Sequence, residues 1–189
     1  MPSSEDFGTG NTVWEIRKYT EHQTEHARAL IGHDPGEEDF QRLGIDPYEL
    51  STVDGNLVTN AGWQRFLTLA NAGTGNLVTS TTAWVGAGDG GGTAAAGDTD
   101  LSAAAGSTHR WFQTCTVTNP SNVTLVFVAA FGSADGNFAW NEFGIDIGTA
   151  TVTSGNTVNA VLLNHKTSIA QGTKASGQTW TATATLTFT

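Results

Sequence analysis

The sequence is poor in cysteine, in charge and in long apolar runs. A single cysteine, Cys115, cannot form an intrachain disulfide and is too little for a cysteine-rich zinc site. Only 14% of residues are charged, against about a quarter in an average domain. Lys and Arg number 8 against 18 Asp and Glu, a formal charge of −10. A general nucleic-acid binder needs a basic patch to displace counterions, so no nucleic acid is expected as a partner. No run approaches the roughly 18 apolar residues of a membrane-spanning helix, so no membrane is expected either. The start, Met1-Pro2-Ser3-Ser4-Glu5-Asp6, is polar and acidic, unlike a signal peptide. What abounds is threonine, 30 residues, and glycine, 23 residues. That mixture suits strands and turns better than helices. A chain of 189 residues is long enough for one sizeable core.

The charge is uneven. Residues 1–54 hold 12 of the 18 acids and 4 of the 8 bases, a balance of −8; residues 55–189 carry the remaining −2. The sequence therefore divides into an acidic N-terminal arm, 1–54, and a nearly neutral body, 55–189. In the arm, Met1–Gly10 has no periodicity and reads as extended. Val13–Arg17 alternates, with Trp14 and Ile16 on one face, and reads as a short strand. Thr20 and Gln23 fit a capping box, and Gly32 closes a helix over 21–31. Asp34-Pro35-Gly36-Glu37 signals another helix with Asp34 as its cap, Phe40 and Leu43 as its apolar face and Gly44 as its stop. A third start is expected at Asp46-Pro47. Helices this short need a surface to lie on. The apolar anchors Trp14, Ile16, Leu30, Ile31, Phe40, Leu43, Ile45, Tyr48 and Leu50 are thus expected to meet a neighbouring chain.

The body opens with a strand near 50–58 and a helix over 61–72. Asn60 is its expected cap, Gly73 its stop, and Trp63, Phe66, Leu67 and Ala70 its apolar stripe. Strands are expected at 76–79, 82–87, 110–117, 123–131, 138–147, 157–166 and 178–188. In the last, Trp180, Ala182, Ala184, Leu186 and Phe188 face one way and five threonines the other. Val123–Phe131 is almost wholly apolar, which predicts burial on both faces. The fold expected is mainly β: an antiparallel β-sandwich, jelly-roll or immunoglobulin-like, with one packed helix and an extended, partly helical arm. Trp63, Phe66, Leu67, Phe127, Trp140, Leu163, Trp180 and Leu186 are its expected core.

Few constellations carry chemistry. His22-Gln23-Thr24-Glu25-His26 matches H-x-x-E-H, which on a helix puts two imidazoles one turn apart with a carboxylate between them. No third ligand or companion helix accompanies it, so it reads as a solvated helix face. Gly86–Thr93 is dense in glycine, but no Lys-Ser/Thr follows it, so it is not a phosphate cradle. Asp89, Asp98 and Asp100 could gather around calcium, though their spacing fits no EF-hand; a turned loop is the plainer reading. Glu142 and Asp146 lie four apart on a strand, about 13 Å, too far for a glycosidase pair. Glu142 is expected instead to pair across strands with His165 or Lys166. Cys115 lies in a threonine-rich strand without a catalytic partner. The six tryptophans read as core rather than as sugar platforms. No cofactor, no metal and no enzymatic activity are expected.

One set of segments goes beyond composition. Gly55-Asn56-Leu57-Val58-Thr59-Asn60-Ala61-Gly62 is followed by Val85-Gly86-Ala87-Gly88-Asp89 and Asp98-Thr99-Asp100-Leu101. Then come Phe131–Ile145, with Trp140-Asn141-Glu142-Phe143-Gly144-Ile145 at its end, Leu162-Leu163-Asn164-His165-Lys166, and Gly172–Trp180. In this order they resemble a family of tailed-bacteriophage virion proteins, of decoration or minor-tail type. The segment 20–47 is not part of the resemblance. The resemblance implies a β-sandwich built into a particle and brings no catalytic residues. A single small domain of this kind is expected to be a head decoration protein of the virion, bound to the major capsid protein and to copies of itself, and the threefold positions that a shell offers make a trimer the expected oligomer. A tail or fibre component, binding host carbohydrate, is the alternative. The absence of repeats or a long coiled coil favours decoration.

Overall fold

A computed structural model describes residues 10–148, 152–153, 156–157 and 161–188. The expected extension of residues 1–9 and the beginning of the strand expected at 157–166 lie largely outside them. The described elements run β1 (Gly10–Tyr19), α1 (Glu21–Ile31), α2 (Glu37–Leu43), β2 (Glu49–Asp54), β3 (Leu57–Val58), α3 (Asn60–Ala72), β4 (Ala83–Gly88), β5 (Arg110–Ser121), β6 (Thr124–Phe131), β7 (Glu142–Ile147), β8 (Val152–Thr153), β9 (Asn156–Thr157), β10 (Val161–Thr167) and β11 (Thr179–Phe188). The small β8–β9 ribbon stands apart. The other nine strands form one antiparallel sheet in the order β2-β1-β11-β6-β5-β4-β7-β10-β3.

β5 makes this sheet a sandwich. Arg110–Thr114 pairs with β4, whereas Cys115–Ser121 pairs with β6. One strand thus belongs to two layers, and the sheet folds over along it. The first layer is β2-β1-β11-β6-β5 and the second β5-β4-β7-β10-β3. Their inner faces meet through Trp14 of β1, stacked on Phe143 of β7 at 4.9 Å, and Trp180 of β11, 5.0 Å from Trp140. Large residues face small ones across the pairs: Trp14 lies opposite Ala184, and Ile16 opposite Ala182. That alternation lets the two layers interdigitate at native density. The expected mainly-β sandwich is therefore what the chain forms.

The N-terminal segment corrects an expectation. β1 pairs with β11 along its whole length, from Gly10↔Phe188 to Tyr19↔Thr179, and β2 pairs with β1. Trp14 and Ile16 are fully buried in the chain's own core. Phe40 is fully buried too, stacked on Tyr19 and packed with Ala27, Leu43 and Ile45. These anchors need no neighbour. Read singly, the short helices looked unsupported; the support is the outer face of a strand whose partner lies about 170 residues away in sequence. Of the other anchors, Ile31 and Leu43 are half-buried, while Leu30, Tyr48 and Leu50 are 59%, 47% and 53% exposed.

Local signals were read with mixed accuracy. α1 has the Thr20–Gln23 capping box and a left-handed Gly32 stop. α2 starts at Glu37, not Pro35; Gly36 is its cap, and its N–H donates to the Asp39 carboxylate at 3.0 Å. Asp34 instead accepts from the Arg28 guanidinium. Thr59, not Asn60, caps α3, accepting from the Gly62 N–H at 2.9 Å. No helix forms at 46–47 and no strand at 76–79, and β7 begins at Glu142 rather than 138. β6 is buried on alternate residues only, and Val123 before it is 49% exposed. α3 lies on β10 so closely that a Cβ on Gly62 would overlap the Leu163 carbonyl oxygen. Its Trp63 and Phe66 are half-buried against Phe188, and Leu67 is 60% exposed, not core. The remaining expected core residues, Phe127, Trp140, Leu163, Trp180 and Leu186, are buried.

Two outcomes follow from this integration. Removing residues 1–54 strips β11 of its partner, so the truncated chain should lose its cooperative unfolding transition in denaturant. Trp14→Ala should cost about 3–5 kcal/mol in the same measurement, as a large core truncation does.

Candidate functional site

The densest polar constellation lies on the second layer. Glu142 of β7 is fully buried and His165 of the adjacent β10 is 2% exposed. The His165 Nε2 lies 2.8 Å from Glu142 Oε2, and its Nδ1 2.6 Å from Asp98 Oδ2. Glu142 also accepts from the Ser102 hydroxyl at 2.6 Å and from the backbone N–H groups of Ser102 and Ala103 at 2.9 and 2.7 Å. Asp98, Ser102 and Ala103 all belong to the glycine-rich loop between β4 and β5. Glycine makes room for the carboxylate: a Cβ on Gly88 would come within 2.5 Å of Glu142 Oε1, and one on Gly90 would overlap it.

These contacts set the charges. Burial pushes the Glu142 carboxyl up, but the bonds from His165, Ser102 and the two backbone N–H groups outweigh it and hold it down at about 2. Burial pulls His165 down, and the bonds to Glu142 and Asp98 raise it above the ordinary imidazole range. Asp98 is lowered despite desolvation by the Ala95 N–H and His165. Chemically the group is closed. Both carboxylates and both ring nitrogens already bond each other or the backbone, and the Ser102 hydroxyl donates to Glu142 rather than facing a substrate. The arrangement fixes a loop onto a sheet.

The other singled-out residues are dispersed. His22, Glu25 and His26 lie on the exposed face of α1. Asp89, Asp98 and Asp100 do not converge: they pair with His109, His165 and Arg110 at 2.7, 2.6 and 2.7 Å. Among the described residues, no three His, Cys, Asp or Glu side chains are placed to hold a metal ion. Cys115 is buried, and burial pushes its thiol up to about 12, which denies it a reactive thiolate. Glu142 does pair across strands with His165, as the spacing suggested. Asp98 and Ser102 as its further partners were not foreseen, because a loop's return path carries no periodic signal.

Two buried lysines also went unnoticed. Lys18 donates to Glu49 Oε1 and to the Gln171 carbonyl, both at 2.6 Å, and lies 4.6 Å from the Trp180 ring centroid. Lys174, fully buried, donates to the Gly132 carbonyl and to Asn137 Oδ1, both at 2.7 Å. Burial lowers its amine to about 8, against a pull upward from Asp135. Lys18 thus ties β1 to β2 and to the loop after β10, and Lys174 ties one loop to another.

An open cleft of about 750 Å³ lies on the outer face of the first layer, where α2 stops covering the sheet. Its floor is the threonine face of β11 and its neighbours, and its wall is Glu37–Asp39 of α2. Arg17 there is held by Glu15 and by Glu37, the latter at 3.3 Å. Glu37 in turn accepts from Thr181 at 2.5 Å and from Gln41 at 2.8 Å.

Compared with family models, with curated proteins and with solved structures, the chain matches none. The structural role of Glu142 has a measurable consequence. Glu142→Ala strands a buried imidazolium and should cost about 3–5 kcal/mol of unfolding free energy. Because the folded carboxyl sits at about 2 against 4.5 ordinarily, its stabilisation is complete above about pH 4.5 and lost as pH falls through about 2. Acid unfolding of the wild type should therefore steepen in that interval, and that part of the pH dependence should vanish in Glu142→Gln.

Proposed function

We propose that the chain is a structural component of a tailed-phage particle, a head decoration protein that sits on the major capsid protein as a trimer and stabilises the shell. One observation carries the reading beyond the sequence resemblance itself. The segments that carry the resemblance meet one another, and their polar groups are spent on doing so. The Trp140 N–H donates to the Gly172 carbonyl and the Lys174 N–H to the Phe138 carbonyl. Trp140 lies against Trp180. His165 of the Leu162–Lys166 segment bridges Glu142 and Asp98. The Thr59 N–H donates to the Leu163 carbonyl. Such segments define a scaffold, not a reactive centre, which supports a building role over an enzymatic one.

A scaffold of this kind binds through its surface. Leu30, Tyr48 and Leu50 are exposed apolar residues of the α1–β2 stretch, and they replace the longer set of anchors expected from sequence. Singly they are ordinary, but contacts repeated over a lattice gain by avidity. Leu30→Lys and Leu50→Lys should each change stability of the isolated protein by no more than about 0.5 kcal/mol. Together they should weaken retention on particles, read by co-sedimentation. Imaging of whole particles should place the chain on the head. A location at the tail tip, or particle binding untouched by both substitutions, would overturn the reading.

A further inference from the structure

We propose that the loop from Asp89 to His109 is a strap latched by a proton on His165, closed when that imidazole is charged and released at its Asp98 limb when the proton leaves. The inference rests on geometry and is independent of where the protein resides. A neutral imidazole carries one N–H; its second nitrogen offers a lone pair. Here both nitrogens face carboxylate oxygens at hydrogen-bond distance, 2.6 Å to Asp98 and 2.8 Å to Glu142. Only the imidazolium donates to both. The neutral ring would aim a lone pair at one of these carboxylates, in a partly buried place where water screens the repulsion poorly.

The two carboxylates are not equivalent. Glu142 sits on β7, inside the sheet, and keeps three donors from Ser102 and Ala103. Asp98 sits on the strap, is 26% exposed, and keeps only the Ala95 N–H of its own turn. A neutral ring therefore retains its N–H toward Glu142 and releases Asp98. The surrounding charges leave this balance to the ring. β7 adds Asp146, β10 adds Lys166, and α3 adds Arg65, while β3 and β4 carry no charged residue. The strap itself adds Asp89 and Asp100, paired with His109 and Arg110 at its base. The Asp89–His109 contact is half-exposed and closes the strap's two ends.

What holds the far limb of the strap limits how far it opens. Leu101 of the strap packs with Trp84 and Phe112 in a separate apolar cluster on the outer face of the second layer. All three are less than 7% exposed. Gly144 beneath them leaves room for Leu101, whose Cδ2 would lie 2.9 Å from an added Cβ. Ser102 and Ala103 stay bonded to Glu142, so Leu101 keeps its seat over Trp84 and Phe112, and the limb from Gly90 to Asp100 is what comes free. The strap's stabilisation by His165 is complete below the ordinary imidazole range, about pH 6.5, and is lost as pH rises through the raised folded value.

Amide hydrogen exchange on the full chain, corrected for the intrinsic pH dependence of exchange, tests this. Between about pH 6 and about pH 9.5 the protection of amides in 90–100 should fall by roughly tenfold or more, while the Ser102, Ala103 and β11 amides stay protected. Asp98→Asn keeps the buried Glu142–His165 pair, so it should fold; its strap should be loose already at about pH 6. His165→Gln should give the same loose strap at both pH values. His109→Asn, at the exposed pair, should leave the alkaline loss in place. Strap protection that is equal at the two pH values in the wild type, or Asp98→Asn with wild-type protection at about pH 6, would overturn the proposal.

Discussion

The aromatic seam between the layers is the contact on which the rest depends. Trp14 stacks on Phe143, Phe143 meets Trp140 at 5.7 Å, and Trp140 meets both Trp180 and Phe131. Five large rings from β1, β6, β7, β11 and the segment before β7 form one continuous contact. Each such ring buries on the order of 150–250 Å² of surface, so this seam dominates the apolar gain on folding. It also dictates what surrounds it. Ala182 and Ala184 must be small because Ile16 and Trp14 lie opposite them. The Trp140 ring N–H, buried with its ring, is satisfied by the Gly136 carbonyl at 2.9 Å. That bond in turn fixes the 132–137 turn, into whose Gly132 carbonyl Lys174 donates.

Polar groups buried around the seam solve a second problem. A sandwich with long loops leaves its loop ends entropically free, and ordering them costs about 1–2 kcal/mol per residue. Here the ordering is offset by charges taken out of water and fully bonded. Lys18 joins β1 to β2 and to the loop after β10; Lys174 joins the loops at the β6 and β11 ends; Glu142 and His165 join the β4–β5 loop to the second layer. Unpaired, any of these would cost more than it returns. Paired, they make loop position a matter of charge rather than of apolar contact. The same choice makes one of the loops sensitive to protons, because one of the bonded ions is an imidazole.

The sequence disclosed the elements whose signal is local. Thr179–Phe188 alternates cleanly, and its threonine and apolar faces are those of β11. Thr20, Gln23 and Gly32 delimit α1 because capping chemistry acts within a few residues. The same reasoning misplaced the α2 start by two residues, since Asp34 had a better partner in Arg28 than the helix end offered. It overvalued Leu67, because a stripe at helical spacing says which face is apolar but not how far a neighbour covers it. The largest error concerned residues 10–54. Trp14 and Ile16 were seen as apolar anchors, correctly, but their cover is β11 and the seam, and pairing between the two ends of a chain leaves no trace in either end alone. The Glu142–His165 pair was legible because both lie on strands with readable phase. Asp98 and Ser102 were not, because they reach it from a loop.

That division between scaffold and remainder bears on where specificity would lie. The segments 131–145, 162–166 and 172–180 contribute Trp140, Phe143, Leu163 and Trp180 to the interior of the sandwich, and Glu142, His165 and Lys174 to the ties of its loops. The stretch 20–47 is built onto the outer face of the first layer through Tyr19, Phe40 and Ala27. It supplies the wall of the open cleft, and with β2 just after it the exposed Leu30, Tyr48 and Leu50. It is also strongly acidic, with Glu21, Glu25, Asp34, Glu37, Glu38, Asp39 and Asp46 against Arg28 and Arg42. Glu37 and Asp39 are partly spent on internal bonds, whereas Glu21, Glu25, Glu38 and Asp46 face water or its edge. A neighbour that docks on this face therefore meets scattered apolar side chains inside a negative field. Such a field sets the rate and register of docking, and the apolar contacts set how long it lasts. Exchanging the exposed side chains of this stretch can change its partners without disturbing the interior, because the aromatic seam does not touch the face on which Glu25, Leu30 and Glu38 stand exposed.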